Sequence, residues 1–142
     1  KWFAPILSFT TEEIYTLVSK NNSKSIHLEQ FPDIPSGWSN NNLEKKWEKL
    51  ITIRNACNIS IEEKRSSKEI GSSLEANLEI NLNKNFTEIV KGTDFSELCI
   101  TSGAEIKFGD IENIKVQTNK AEGNKCPVCW KITKETCSRH KV

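Results

Sequence analysis

Residues 73–82 read Ser-Leu-Glu-Ala-Asn-Leu-Glu-Ile-Asn-Leu, so that apolar and polar side chains alternate without a break. Successive side chains of a β-strand point to opposite faces of the sheet, and this period therefore predicts a half-buried strand. Three shorter runs, at 98–100, 105–108 and 113–118, are further strand candidates separated by glycines. We expect these strands to form a small, mostly antiparallel sheet.

The long helix predicted before this strand spans about 43–68. Measured from Trp47 at about 100° per residue, its apolar seam is expected to contain Leu43, Leu50, Ile51, Cys57 and Ile61. Arg54 and Arg65 lie on the same seam, although a buried guanidinium is costly unless it is paired. Two alternatives remain open. The arginines bond a carboxylate such as that of Glu62 or Glu69, or this face of the helix meets a polyanion.

The N-terminal part of the chain is expected to be helical. Thr10 as the N-cap and Glu13 three residues later form a capping box, so that residues 1–20 would be the end of a helical bundle. An apolar stripe follows the cap at Ile14, Leu17 and Val18. The stretch 21–42 is predicted to be a connector because it contains prolines and a run of asparagines. Its apolar residues suggest a loop packed onto the body: Phe31, Ile34 and Trp38.

A short helical turn is predicted at 86–90, ending at Gly92. The order of elements is then two helices, a strand, a short helix, two or three strands and a terminal cysteine motif. This order predicts an α+β fold in which the long helix packs on the small sheet.

The terminal cysteine motif is doubled. Cys126-Pro127-Val128-Cys129 is followed after seven residues by Cys137-Ser138-Arg139-His140. A two-residue gap lets both side chains of a knuckle reach one ion, and three thiolates with one imidazole complete the shell of a structural zinc site. We therefore predict one structural Zn²⁺ bound by Cys126, Cys129, Cys137 and His140. The alternatives are a disulfide pair or a redox dithiol, although such a dithiol usually lies where a strand enters a helix.

The other two cysteines, Cys57 and Cys99, are expected to be small core residues. Free thiols together with a thiolate metal site indicate a reducing compartment, the cytoplasm. The 142-residue chain has a formal charge of only +1, which does not by itself indicate a nucleic-acid partner. Residues 119–142, however, contain six basic and two acidic side chains. This basic end either contacts phosphate or is a solvated surface.

Several functions lack support in the sequence. It contains no glycine loop that would cradle phosphates and no Ser–His–Asp candidate, so no catalytic residue is predicted. No apolar run approaches the ~20 residues of a membrane span, and no membrane association is expected. The chain contains no Met, and we expect it to be cut from a longer polypeptide.

Three segments of the chain match one family in order. They are residues 4–15 (Ala-Pro-Ile-Leu-Ser-Phe-Thr-Thr-Glu-Glu-Ile-Tyr), residues 47–76 with Glu63-Lys64-Arg65 and Lys68-Glu69-Ile70-Gly71, and residues 123–130 (Gly-Asn-Lys-Cys-Pro-Val-Cys-Trp). The first resembles the end of the anticodon-binding helical domain of isoleucyl-tRNA synthetases. The second resembles the stretch that follows in the bacterial enzymes, and the third their C-terminal zinc peptide. One departure is that this chain has His140 where the family usually has the last cysteine of a second Cys-x-x-Cys.

The resemblance implies a C-terminal fragment of a ligase that joins isoleucine to its tRNA with ATP. The adenylation and editing sites would lie upstream, so ATP is not expected to bind here. The expected partners are tRNA and the upstream domains of the same polypeptide, in a cytoplasmic monomer. Three regions are implied: the end of the anticodon-binding domain with its connector (1–70), a small α+β subdomain (71–118) and a zinc-binding peptide (119–142).

The residues expected to contact tRNA are basic and lie on the long helix and near the metal: Arg54, Lys64, Arg65, Lys68, Lys125, Lys131 and Arg139. Of the two seam arginines, Arg54 is expected to be mainly structural and Arg65 to meet RNA. Trp130 either packs over the zinc thiolates or stacks on a base. The rival interpretation is a non-enzymatic zinc module that binds nucleic acid or another protein.

Overall fold

The computed structural model of the chain describes residues 1–19 and 24–140. The alternating stretch forms strand β1 (Ala76–Asn83) at the centre of a three-stranded sheet. On one side β2 (Gly103–Gly109) runs parallel to β1, and on the other side β3 (Lys115–Lys120) runs antiparallel to it. The α+β class is confirmed, but this sheet is mixed rather than mostly antiparallel. The helical segment between β1 and β2 is long enough to return the chain to the end of the sheet where β1 began.

The alternation along β1 is confirmed in its burial. The buried side chains are Ala76, Leu78, Ile80 and Leu82. On the opposite face Glu79 forms a 2.8 Å ion pair with Lys107 of β2. The first residues of the predicted strand differ, because Ser73–Glu75 form a 3-10 turn ahead of β1. The strands predicted at 105–108 and 113–118 are present, the second shifted toward the C-terminus.

The long helix α2 spans Asn41–Ser66, and the residues it buries are Leu50, Ile53, Cys57 and Ile61. Ser60 links the helix to the sheet through a 2.8 Å hydrogen bond with the hydroxyl of Thr118 on β3. The helix prediction is confirmed, and Leu50, Cys57 and Ile61 of the predicted seam are buried. The seam is nevertheless displaced, because Leu43 and Ile51 are exposed and Ile53 is buried instead. Trp47 is 43% exposed, and the buried positions are centred about 75° away from it at 100° per residue. Apolar residues occur around much of the helix, so the largest of them is a poor guide to the buried side.

The connection from β1 to β2 contains α3 (Thr87–Val90) and α4 (Phe95–Leu98). The helical turn predicted at 86–90 is therefore confirmed, whereas the strand predicted at 98–100 is wrong. The Asp94 carboxylate accepts hydrogen bonds from the amides of Ser96 at 2.8 Å and Glu97 at 3.3 Å. This N-cap directs the chain into a helix where the short apolar run alone could not distinguish helix from strand.

Cys57 and Cys99 are buried in the core cluster, as predicted, and all five cysteines are free thiols. A hydrogen bond with the Cys99 thiol, together with burial, raises the pKa of Cys57. Cys57 is thus held in its neutral form and behaves as a small apolar residue.

Residues 1–40 form a compact unit separate from 41–142. Its helix α1 spans Ser8–Val18 and begins ahead of the predicted N-cap Thr10, so the capping-box prediction is wrong. The hydroxyl of Thr11 donates instead to the carbonyl of Leu7 at 2.8 Å, within the first turn. The Glu12 carboxylate accepts bonds from the connector that follows the helix: from the hydroxyl of Ser25 and the amide of Ile26, each 2.9 Å long.

The connector contains two 3-10 turns, Ile26–Leu28 and Ser36–Trp38. Its apolar residues Phe31, Ile34 and Trp38 are exposed. The Trp38 ring meets the ring of Trp2 edge to face, with centroids 5.7 Å apart. The part of the predicted connector at 21–23 lies outside the described residues. Within the described ranges, no helix combines the length and apolar character that crossing a bilayer requires.

Candidate metal centre and surrounding basic residues

The first cysteine pair lies in the turn of a small hairpin. Strand β4 (Asn124–Lys125) pairs antiparallel with β5 (Ile132–Thr133), and the turn between them carries Cys126 and Cys129. The Cys126 amide donates to the carbonyl of Lys131 at 2.9 Å, and the Trp130 amide donates to the carbonyl of Cys126 at 3.0 Å. These bonds bend the backbone so that both thiols point to the same side.

The hairpin also depends on Gly123, whose φ of +129° lies in a region that L side chains rarely adopt. A Cβ at this position would overlap the carbonyl group of Thr133. The second knuckle is a turn in which the His140 amide donates to the carbonyl of Cys137 at 3.2 Å. Both knuckles are therefore built by local backbone hydrogen bonds.

The structure brings the four predicted ligands together, because their ligand atoms all lie within 4.8 Å of one another: Cys126, Cys129, Cys137 and His140. The sulfur atoms of Cys129 and Cys137 are 3.7 Å apart. The Nδ1 atom of His140 is 3.5 Å from the sulfur of Cys126 and 3.5 Å from that of Cys137. Two thiols are buried and the other two ligands are half-buried. This cluster of three thiols and one imidazole could hold a metal ion.

Backbone amides favour the thiolate form at two of these cysteines. Hydrogen bonds from the amides of Cys129 and Val128 lower the pKa of Cys126 to about 6. Amides of the second knuckle, Arg139 first, likewise lower the pKa of Cys137. The thiol of Cys129 differs: the Lys131 amide lowers its pKa, but desolvation and the neighbouring thiols raise it more. Thiolate character at Cys126 and Cys137 therefore favours a cation between these sulfurs.

Two of the basic residues predicted to contact RNA share one carboxylate. The Lys131 ammonium and the Arg139 guanidinium both pair with Oε1 of Glu97 on α4, Arg139 at 2.9 Å. The Lys131 side chain is only 16% exposed. Hydrogen bonds from Lys131 and Arg139 lower the pKa of Glu97, so the carboxylate is ionised at neutral pH.

The predicted basic residues on and just after α2 have different surroundings. Arg54 is half-buried, and its Nε donates to the carbonyl of Leu98 at 3.0 Å. Arg65 is exposed and pairs with Glu62 at 2.6 Å, and Lys64 pairs with Glu69 at 2.8 Å. Exposed residue Lys68 follows the helix with a left-handed φ of 60°. Arg54 thus bonds a main-chain carbonyl rather than either of the two carboxylates considered for it.

Lys125 and Trp130 form an exposed pair beside the cluster of three cysteines and one histidine. The Lys125 ammonium lies 5.6 Å from the centre of the Trp130 ring, and Trp130 is 59% exposed. The backbone of Trp130 has a φ of 66°, in the left-handed region. A large side chain in this conformation is uncommon, since glycine adopts it at lower cost.

Two residues that organise the site were not predicted, Glu97 and Ser102. The Ser102 hydroxyl donates to the carbonyl of Leu74 at 2.5 Å and accepts a bond from the amide of Ile132 at 2.6 Å. The spacing of Asp94 and Glu97 is that of a helix N-cap with an acidic residue three positions later, and it could have indicated α4. Ser102 carries no comparable signal in the sequence.

Comparison with known proteins identifies the class to which this arrangement belongs. Residues 1–80 match the family described as the anticodon-binding domain of tRNA ligases, and the chain belongs to that family. Its similar relatives are isoleucine–tRNA ligases. That of Pelagibacter ubique is 63% identical over 140 residues, covering 99% of the chain, and that of Agrobacterium fabrum is 37% identical over 148 residues, covering 96%. The chain spans only 15% of the length of each of these relatives.

Proposed function

We propose that this chain is the tRNA-binding C-terminal part of an isoleucine–tRNA ligase, an enzyme that joins isoleucine to its tRNA with ATP. The observation that supports this most directly is the 63% identity to such a ligase across almost the whole chain. ATP binding, adenylation and editing would then belong to other parts of the polypeptide. We place the protein in the cytoplasm, as a monomer. We retain the division into an anticodon-binding end with its connector (1–70), an α+β subdomain (71–118) and a zinc-binding peptide (119–142).

We further propose that the metal is Zn²⁺. A tetrahedral zinc with bonds of about 2.3 Å to sulfur and about 2.0–2.1 Å to nitrogen has S···S edges of about 3.8 Å and S···N edges of about 3.6 Å. The S···S separation of 3.7 Å and the two S···N separations of 3.5 Å fit these edges. Three thiols and one imidazole are also the donor types that zinc prefers. With four protein ligands the ion would have no open position, so its role would be structural.

The metal would stabilise the surface that carries Lys125 and Trp130. Both residues adjoin ligands of the first knuckle, and the left-handed Trp130 backbone costs on the order of 1 kcal/mol. An exposed tryptophan held this way, with a lysine over its ring, suits the stacking of an unpaired base beside a phosphate. Arg65, Lys64 and Lys68 would contribute phosphate contacts, since they are close to solvent. The ion pairs of Arg65 and Lys64 are local to α2 and the turn after it. Arg54, Lys131 and Arg139 instead bond groups on α4 and would contribute less.

The experiment is a titration of the zinc-loaded chain with an isoleucine tRNA transcript at several salt concentrations. We expect saturable binding that weakens with salt and weakens further after chelation. Trp130→Phe serves as a conservative control, because it keeps an aromatic ring, and Trp130→Ala should bind more weakly than Trp130→Phe. Absence of binding at low salt, or equal binding of any polyanion of the same length, would contradict the proposal.

A further inference from the structure

Among the residues that the structure describes, two sets of polar contacts attach the metal-binding hairpin (residues 124–133) to the sheet-bearing body. One is Glu97 on α4, whose carboxylate pairs with Lys131 and Arg139. Lys131 belongs to the first knuckle, since its carbonyl accepts the Cys126 amide at 2.9 Å. Arg139 lies inside the second knuckle, immediately before His140. A single carboxylate therefore contacts both halves of the metal cluster.

The second attachment is the Ser102 hydroxyl, which bridges Leu74 in the turn before β1 and Ile132 on β5. The Ser102 amide itself donates to the carbonyl of Ala76 at 3.0 Å, so that this serine is fixed to the edge of the sheet. α4 is likewise fixed, because its Asp94 cap orders the turn that presents Glu97. The hairpin is thus held at one point by a hydroxyl and at another by an ion-paired carboxylate.

We propose that Glu97 is a positioning residue for RNA binding: it orients the metal-binding hairpin on the body, and so sets where Lys125 and Trp130 stand. This inference rests on the proposed tRNA-binding function. The change in RNA affinity that it predicts for neutralising Glu97 is opposite in sign to the change expected from charge repulsion alone. A carboxylate beside a basic segment repels a polyanion, so its neutralisation should tighten RNA binding. If Glu97 positions the hairpin, neutralising it should weaken RNA binding although the chain becomes more positive.

The test compares Glu97→Gln with Glu122→Gln in the zinc-loaded chain. Glu122 is a matched control, because it belongs to the same end of the chain and pairs with Lys134 at 3.0 Å, with both side chains largely exposed. Both substitutions remove one negative charge. We expect Glu97→Gln to lower the affinity for the isoleucine tRNA transcript at least about fivefold, the lower end of typical coupling between sites. Glu122→Gln should bind as tightly as the unaltered chain or more tightly.

Hydrogen exchange provides a readout that does not depend on RNA. In Glu97→Gln the amides of Cys126 and Ile132 should exchange faster than in the unaltered chain, with one metal ion still bound, and in Glu122→Gln they should not. Unchanged exchange with tighter RNA binding would show that Glu97 only repels RNA, and faster exchange with unchanged RNA affinity would limit it to a structural role. Either result overturns the proposal. If the unaltered chain fails to bind tRNA, the proposed function fails, while the exchange data still decide whether Glu97 holds the hairpin.

Discussion

Arg54 and Arg65 were predicted to share one helical seam, and their surroundings predict different consequences of removing them. Arg54 is half-buried and donates from Nε to the carbonyl of Leu98, the last residue of α4. Arg65 is 47% exposed and pairs with Glu62 on the same helix. Alanine at either position removes one positive charge from α2. The two variants therefore compare a structural arginine with a surface one.

The expected loss of stability follows from these contacts. Hydrogen bonds from charged donors contribute about 1.5–3 kcal/mol, and Arg54→Ala also removes the packing of the side-chain stem. Because Arg54 is only half-buried, we expect a loss of about 1.5–2 kcal/mol in the free energy of unfolding, toward the lower end of that range. An exposed pair between neighbouring helical turns contributes about 0.3–0.5 kcal/mol. Arg65→Ala should therefore change stability by no more than about 0.5 kcal/mol.

For RNA binding the order of the two variants is the opposite: Arg65→Ala should have the larger effect and Arg54→Ala the smaller one. If Arg65 contacts one phosphate, Arg65→Ala should make the slope of log affinity against log salt shallower by about 0.7–0.9. Arg54→Ala should leave that slope unchanged when binding is measured at a temperature at which this variant is still folded. Urea unfolding followed by circular dichroism measures the free energy of unfolding, and tRNA titrations at four or more salt concentrations measure the salt slope of binding. Arg54→Lys is a useful control, since it keeps the charge but not the planar donor.

The assignment has a clear refutation. A strongly destabilised Arg65→Ala variant whose salt slope is unchanged would falsify the division of roles. So would an Arg54→Ala variant that unfolds like the unaltered chain and loses a phosphate contact.

Three further outcomes are expected. Metal analysis should find one zinc per chain, and zinc-free protein prepared without chelators would contradict this. Structural zinc contributes on the order of 10 kcal/mol of folding free energy in such peptides. Chelation should therefore unfold the hairpin, while amide hydrogen exchange should show that the sheet and α2 persist. The pure chain should show no isoleucine-dependent pyrophosphate exchange, and such activity would refute the placement of the chemistry elsewhere. The Ser96 hydrogen bond lowers the pKa of Asp94, so the stability from its cap is fully present above the unfolded-state pKa of about 3.9 and is lost as pH falls through the lower folded-state pKa. Asp94→Ala should therefore cost about 1 kcal/mol at pH 7 and progressively less as the carboxyl group is protonated.

The parts of the structure that were predicted correctly depend on local patterns. β1 follows from a period-two alternation over ten residues, and the proximity of Cys126, Cys129, Cys137 and His140 follows from two spacings of two residues each. That these four residues bind a metal stays a prediction. In both cases the residues that must act together are close in sequence. A geometric rule then determines what they form.

The predictions that failed depend on information that is not local. The buried side of α2 is decided by where the sheet lies, and Ile53 is fully buried while Trp47 is not. The run 98–100 is too short for periodicity to separate strand from helix, and the Asp94 cap decides it. The parallel pairing of β1 and β2 depends on the path of the chain between them. None of these follows from the composition of the segment concerned.

The charge that is available to a ligand also depends on contacts between residues distant in sequence. The sum of formal charges makes residues 119–142 basic, but Lys131 and Arg139 share the Glu97 carboxylate. The Lys131–Glu97 pair joins residues 34 positions apart, so the sequence does not reveal it. A phosphate that recruited Lys131 would have to displace that carboxylate from a side chain only 16% exposed. Lys125 is exposed and lies over the ring of Trp130, so that a phosphate can approach it without opening the contact between hairpin and body. We infer that the charge sum overstates how many cations RNA could use, and that the proposed RNA surface beside the candidate metal site is centred on Lys125 and Trp130.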